Sequence, residues 1–268
     1  HSFPTRRSSD LVATGLETSK FGVSFEAARA AYDRAAELDH VEVVGVDCHI
    51  GSQLTELGPF VEAVERVVEL VRELRAAGHP VRVLDLGGGL GIQYDAEEPP
   101  TPAEYGAALR ERLAGEGLRL VLEPGRAIAG NAGVLLTRVL YTKAGAKKRF
   151  AVTDAGMSDL LRPALYGSYH GVELVADPAG RPRERVDVVG PICESGDFLA
   201  RDRALARLEP GDLLAVMSAG AYGMTMASTY NSRPLPAEVL VSGARHALVR
   251  ERGTAEDLVR NERSARFD

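Results

Sequence analysis

The chain has 268 residues, 38 of them acidic and 32 basic, for a net charge of −6. That length suits one large domain or two ordinary ones, and an acidic balance with no basic stripe argues against a nucleic-acid partner. No apolar run approaches the roughly 20 residues that span a bilayer. The two cysteines, Cys48 and Cys193, are too few for a disulfide scaffold or a cysteine-rich zinc site, so a reducing cytoplasm fits best.

Residues His1 to Leu11 are polar and basic without periodicity, and they lack the apolar core of a signal peptide. They read as a disordered tail or, in the preferred reading, as the in-frame translation of a sequencing adapter joined to a gene that begins well before Val12. From Val12 to about 140, helix and strand signals alternate. Phe25 to Leu38 is Ala-rich and charged, and a helix is expected there after Ser24. Val41 to Val46 is a short strand ending in Asp47, Cys48 and His49. Phe60, Val61, Val64, Val67, Val68, Val71 and Leu74 recur at helical steps, with Gly78 as the stop. Val81 to Leu86 is a buried strand that runs into Gly87, Gly88 and Gly89. Thr101, Pro102 and Glu104 supply an N-cap, a first-turn proline and a capping-box glutamate for a helix ending near Gly115. Leu118 to Leu122 is the third strand and ends in Glu123, Pro124, Gly125 and Arg126.

Strand–helix repetition of this kind predicts parallel βαβ units. Three units are too few to close a barrel of about eight strands, so residues 12–140 are an open sheet or the last part of a (β/α)8 barrel. Beyond 140, Val-rich runs at Phe150–Asp154, Val186–Val189, Leu213–Met217 and Ala237–Val241, separated by Gly, Pro and Asp turns, predict a mostly antiparallel β-domain over 141–268. Asp177 to Arg185 reads as an exposed hairpin loop. The fold class is α/β plus β.

Three consecutive strand ends carry polar clusters: His49 to Gln53, Gly87 to Gly89, and Glu123 to Arg126. The C-terminal ends of parallel strands open on one face, where ligands bind. Each cluster alone has a plain alternative: a tight turn for the glycines, a structural role for the histidine, a surface ion pair for Glu-Pro-Gly-Arg. Together they suit an anionic aromatic cofactor, with glycine amides approaching a phosphate unobstructed by a Cβ.

Cys48-His49-Ile50-Gly51-Ser52-Gln53, Leu86-Gly87-Gly88-Gly89-Leu90-Gly91-Ile92 and Glu123-Pro124-Gly125-Arg126 resemble signatures of the alanine-racemase-fold, pyridoxal-phosphate-dependent decarboxylases. The resemblance continues through Asp154-Ala155-Gly156-Met157, Arg162-Pro163-Ala164-Leu165-Tyr166, Cys193-Glu194-Ser195-Gly196-Asp197, Gly220-Ala221-Tyr222-Gly223 and Tyr230-Asn231. It runs in chain order from about Thr14, through Lys20-Phe21-Gly22, to about Gly243, and is strongest to the diaminopimelate decarboxylase type. That resemblance implies a barrel segment followed by the β-domain, pyridoxal 5'-phosphate as cofactor, a small amino-acid substrate, and a homodimer in which the Cys193–Asp197 segment reaches into the partner's barrel.

By the same resemblance, His49 stacks on the pyridine ring, Ser52, Gly88, Gly89 and Tyr222 hold the phosphate, and Glu123 pairs with the ring nitrogen. Gly125 and Arg126 complete the cofactor site. Arg126, Arg162 and Tyr166 clamp the distal carboxylate of a diacid substrate, and Glu194 takes its distal ammonium, with Tyr222 also at the substrate. Guanidinium groups suit carboxylates because they donate two parallel hydrogen bonds, and leaving a buried charge unpaired costs about 3–5 kcal/mol. Arg162 has the alternative of a surface residue before Pro163. Cys193 returns a proton to the carbon that has lost its carboxyl group, whereas Cys48 alternates with His49 and is expected to pack on the opposite face.

One part of the pattern is missing. The family's Schiff-base lysine lies on the first barrel strand, and none of Lys20, Lys143, Lys147 and Lys148 stands in that context; the last three fall in or near a connector at Thr142–Arg149. About five barrel strands would precede this segment. The 268-residue chain by itself is accordingly expected to be poorly soluble and inactive. The competing functions are decarboxylation of another basic amino acid or polyamine precursor (ornithine, arginine, carboxynorspermidine) and a non-catalytic decoy of the same fold.

Overall fold

The computed structural model describes residues 22–176 and 178–267. The leader expected at 1–11, and Lys20 and Phe21, lie outside them. The chain divides into two units between Asn131 and Ala132, each with its own hydrophobic core.

In the first unit, α1 (Phe25–Ala36) starts at Ser24, whose side chain accepts from the Ala27 amide. It is followed by β1 (Gly45–Asp47), α2 (Gly58–Ala76), β2 (Val83–Asp85), α3 (Pro102–Leu113), β3 (Arg119–Val121) and the short α4 (Gly125–Ala129). The strands form a parallel sheet in the order β1-β2-β3, with Val46 opposite Leu84 and Leu84 opposite Leu120. They are shorter than predicted. Val41 and Val44, which the sequence placed in the first strand, are 48% and 39% exposed, so they contribute little to the core.

The helical stripe on α2 buries Phe60, Val64, Val67, Val68, Leu70, Val71 and Leu74, each contributing about 1.5–3 kcal/mol of transfer free energy. Gly78, at φ +95, lets the chain leave that helix. The α3 capping box forms as predicted: the Glu104 amide donates to Thr101 Oγ1 at 3.2 Å, and the Thr101 amide donates back to the Glu104 carboxylate at 2.8 Å. Phe60 and Tyr105, with ring centroids 4.7 Å apart, join α2 to α3.

The second unit contains β4 (Leu135–Ala144), β5 (Arg149–Thr153), α5 (Arg162–Tyr166), β6 (Val172–Leu174), β7 (Arg183–Val189), β8 (Phe198–Ala206) and β9 (Leu213–Val216). The hairpin of β10 (Glu238–Ser242) with β11 (Arg245–Arg250) and the short α6 (Ala255–Val259) follow. The main sheet runs β6-β9-β4-β5-β7-β8 and is antiparallel except between β5 and β7. A parallel pair needs a long crossover, and here the crossover carries residues 154–182. Two expectations are corrected. The connector expected at Thr142–Arg149 is shorter, residues 145–148: β4 extends to Ala144 and turns back into β5, with Lys143 opposite Phe150. Of the hairpin loop expected over Asp177–Arg185, Asp177 lies outside the described residues; Arg183–Arg185 belong to β7, and no hairpin forms because β6 pairs with β9 while β7 pairs with β5 and β8. Among the described residues no helix is long and apolar enough to cross a membrane.

Candidate active site

The parallel ladder continues beyond the strands into the loops. Cys48 N–H donates to Asp85 O at 2.9 Å, Leu86 N–H to Val121 O at 3.2 Å and Glu123 N–H to Gly87 O at 2.7 Å. The three polar clusters are therefore held side by side by backbone bonds. Gln53 fixes the first loop to the second: buried at φ +60, its amide accepts from Ile92 N–H at 3.2 Å and donates to Ile92 O at 2.6 Å.

Glycine is required in the second loop by crowding. A Cβ on Gly88 would collide with the carbonyl oxygen of Glu123, and one on Gly89 (φ +95) would lie 2.5 Å from the carbonyl oxygen of Gly51. The triple glycine forms a tight turn that also leaves bare backbone beside His49. The Gly88 N–H donates to His49 Nδ1 at 3.2 Å. An amide nitrogen only donates, so Nδ1 is unprotonated and a neutral His49 carries its proton on Nε2. The imidazole is anchored by one edge and exposed elsewhere.

Glu123 is exposed and makes no side-chain hydrogen bond or ion pair among the described residues. Arg126, on α4, is buried and donates to Tyr94 Oη at 2.5 Å and to Ser52 Oγ at 3.0 Å. Because Ser52 accepts from Arg126, its own O–H stays available as a donor to an anion. Gly125 opens α4 just after Glu123. So His49, Ser52, Gly88, Gly89 and Glu123 lie on three adjoining loops of one unit, with Gly125 and Arg126 in α4 just after the third. Tyr94, which Arg126 bonds, carried no spacing signal. Cys48 packs against the core of this unit, and burial raises its thiol pKa, with Asp47 adding to the effect.

In the second unit the loop after β5 is shaped by carboxylates. Asp154 accepts from Thr137 Oγ1 at 2.7 Å and from the Arg138 amide at 2.8 Å. Asp159 accepts from the Gly156 amide at 2.9 Å; burial raises its pKa in spite of that bond and of Arg233 nearby. Asp197 is buried, accepts from the amides of Met157 (2.7 Å) and Ile192 (2.6 Å), and lies where a Cβ on Gly156 would come within 2.5 Å of it. This ties the Cys193–Asp197 loop to the Asp154–Met157 loop and leaves Cys193 and Glu194 exposed.

Arg162 opens α5. The expected surface alternative for it is wrong: it is 3% exposed, with Nη1 3.0 Å from His170 Nε2. Tyr166, at the other end of α5, is half-exposed. Tyr222 is also half-exposed and has φ +65, a left-handed conformation that costs a non-glycine residue about 1–2 kcal/mol. Such strain clusters at functional sites.

A family model described as the pyridoxal binding domain of pyridoxal-dependent decarboxylases matches residues 4–130. Diaminopimelate decarboxylase of Pseudomonas aeruginosa is 57% identical over 251 residues, covering 94% of this chain and 60% of the relative. Diaminopimelate decarboxylase from Helicobacter pylori, solved with L-lysine, superposes with a TM-score of 0.87 at 41% identity, over 92% of this chain and 61% of that one. Diaminopimelate decarboxylase from M. jannaschii, also solved with L-lysine, gives a TM-score of 0.88 at 39% identity, over 94% of this chain and 59% of that one. Barrel strands followed by this β-domain, with these loops, are similar to the pyridoxal-dependent decarboxylases of the alanine-racemase fold. Within that class the chain is similar to the diaminopimelate decarboxylases, at 57% and 46% identity to two of them. It spans about 60% of the length of the curated relatives it matches.

Proposed function

We propose that the whole protein decarboxylates meso-diaminopimelate to L-lysine and carbon dioxide with pyridoxal 5'-phosphate. The observation that carries this reading is the junction of three strand-end loops, where the ring of His49, bare glycine backbone and the Glu123 carboxylate adjoin. The donor set fits the cofactor. Ser52 offers a hydroxyl and Gly89 an amide without a Cβ in the way for the phosphate, while Gly88 holds His49 by its edge so that a ring face is presented; Tyr222 is proposed as a further phosphate donor on the resemblance alone.

When bound, the cofactor supplies an electron-accepting ring that takes up the electron pair left on the substrate carbon as the carboxyl group departs. Glu123 keeps a proton on the ring nitrogen, which makes that uptake favourable. Arg126, Arg162 and Tyr166 bind the distal carboxylate, and Glu194 the distal ammonium. Cys193, exposed on its loop, returns a proton to the reacting carbon. The protein is proposed to act in the cytoplasm as a homodimer in which the Cys193–Asp197 segment completes the partner's site. The two cysteines of this chain, Cys48 and Cys193, are free, which fits a reducing compartment.

The test is carbon dioxide release by the whole protein supplied with pyridoxal phosphate and, separately, meso-diaminopimelate, ornithine and arginine. Release from the first far exceeds the others if the reading holds; preference for ornithine or arginine, or release from none, refutes it. Glu123→Gln should lower kcat by about 10²-fold or more with a smaller change in KM, and near-normal kcat removes its assigned role.

A further inference from the structure

His170 is wholly buried just before β6, and its ring bridges two elements. Arg162 Nη1 lies 3.0 Å from Nε2, and the carbonyl oxygen of Met217 lies 2.8 Å from Nδ1. A guanidinium only donates and a carbonyl only accepts. The two partners therefore set one protonation state: Nδ1 carries the hydrogen and donates to Met217, while Nε2 is bare and accepts from Arg162. A doubly protonated ring would direct an N–H at the guanidinium.

The backbone around the ring is equally constrained. Arg203 Nη2 donates to His170 O at 3.2 Å, Met217 N–H donates to Gly171 O at 2.8 Å, and Val172 pairs with Val216. Met217 leads directly into Ser218 (φ +55) and on to Tyr222 (φ +65). His170 thus stands between the arginine of α5 and the base of the loop that carries Tyr222.

We infer that His170 is a positioning residue: it holds the Arg162 guanidinium in place for the distal carboxylate of the substrate, and ties it to the strand end from which the Tyr222 loop departs. This rests on Arg162 being the carboxylate clamp proposed above. An arginine side chain has much rotamer freedom to lose, so a fixed acceptor inside the fold pre-organises it. The acceptor is a neutral imidazole. A carboxylate there would hold the arginine as well but would add a negative charge in competition with the substrate's carboxylate, which a neutral imidazole does not.

The test compares His170→Asn, His170→Gln and Arg162→Lys in the whole protein loaded with pyridoxal phosphate. Asparagine keeps a donor for Met217 and drops the acceptor at Nε2; glutamine places an oxygen near Nε2 and drops the donor. H170N should raise KM for meso-diaminopimelate and Ki for L-lysine about tenfold, with a smaller change in kcat, because a hydrogen bond to a charged group is lost. H170Q should recover most of that loss, and the Kd for pyridoxal phosphate should follow neither variant. R162K should raise the same KM and Ki. If R162K leaves both unchanged, the clamp reading fails and takes this proposal with it. If R162K raises them while H170N does not, or if H170Q is as impaired as H170N, the role of His170 alone is overturned. Should the His170 variants not fold, the ¹⁵N spectrum of the wild-type protein decides: a neutral ring protonated on Nδ1 supports the proposal, and an Nε2–H ring or an imidazolium at neutral pH overturns it.

Discussion

Replacing Gly89 by alanine puts the strand-end junction under direct test. An alanine Cβ at this position would lie 2.5 Å from the Gly51 carbonyl oxygen, whereas carbon–oxygen contacts settle at about 3.3 Å or more, so something must move by most of an ångström. Gly51 cannot yield easily. Its loop is held by Leu54 N–H to Gly89 O and Gly91 N–H to Leu54 O, both 2.9 Å, and by the Gln53–Ile92 pair. Forcing an L-residue to φ +95 costs about 1–3 kcal/mol, and losing one of those hydrogen bonds adds about 1 kcal/mol. G89A should therefore destabilise the whole protein by about 2–4 kcal/mol in urea unfolding and weaken pyridoxal phosphate binding in a fluorescence titration. Gly106 is the control. It lies inside α3 with nothing within 4 Å of an added Cβ, so G106A should stabilise by about 0.5–1 kcal/mol. Wild-type stability and cofactor affinity in G89A, or equal losses in both variants, would refute the crowding argument.

Three further outcomes follow from single contacts. Thr101→Ala removes the α3 cap and should cost about 1 kcal/mol in the same unfolding assay; an unchanged midpoint would show that the capping box contributes nothing. Iodoacetamide should label Cys193, which is exposed, well before Cys48, which is partly buried and has its thiol pKa raised by burial; mass spectrometry showing the opposite order would contradict these environments. Asp159 has a raised pKa because it is buried, so the native state binds its proton more tightly than the unfolded chain does. Its contribution to stability is present below the ordinary carboxylate range and is lost as pH rises through the raised folded value. Asparagine can still accept from the Gly156 amide but does not ionise, so D159N should flatten that decline across the weakly acidic range. An unaltered slope of stability against pH would show that burial of Asp159 has no such effect.

The helices were the most legible part of the chain because their signals are local. The α2 stripe recurs every three or four residues, and the α3 cap is written in Thr101, Pro102 and Glu104. Strands were harder. β4 alternates in burial only from Leu135 to Leu140, and there with Leu136 and Leu140 on the exposed side and Thr137 on the buried one, so its residue types hide the pattern; β11, from Arg245 to Arg250, is exposed throughout. The parallel β5–β7 pair depends on a crossover whose path no local pattern encodes. The strand-end loops could be grouped from sequence because the ends of consecutive parallel strands share a face. Tyr94 and His170 could not be found this way, since the bond of Tyr94 to Arg126 and that of His170 to Arg162 exist only after folding. Arg162 was placed in the substrate clamp by the resemblance, but no local pattern beside Pro163 showed that it would be buried.

A crystal structure of the whole protein with pyridoxal phosphate bound tests the central claim most directly. The account predicts the pyridine ring stacked within about 4 Å of the His49 imidazole, the Glu123 carboxylate within about 3 Å of the ring nitrogen, and the phosphate against Ser52 and Gly89. A cofactor bound away from these three loops, or a ring nitrogen facing any group other than Glu123, would contradict it.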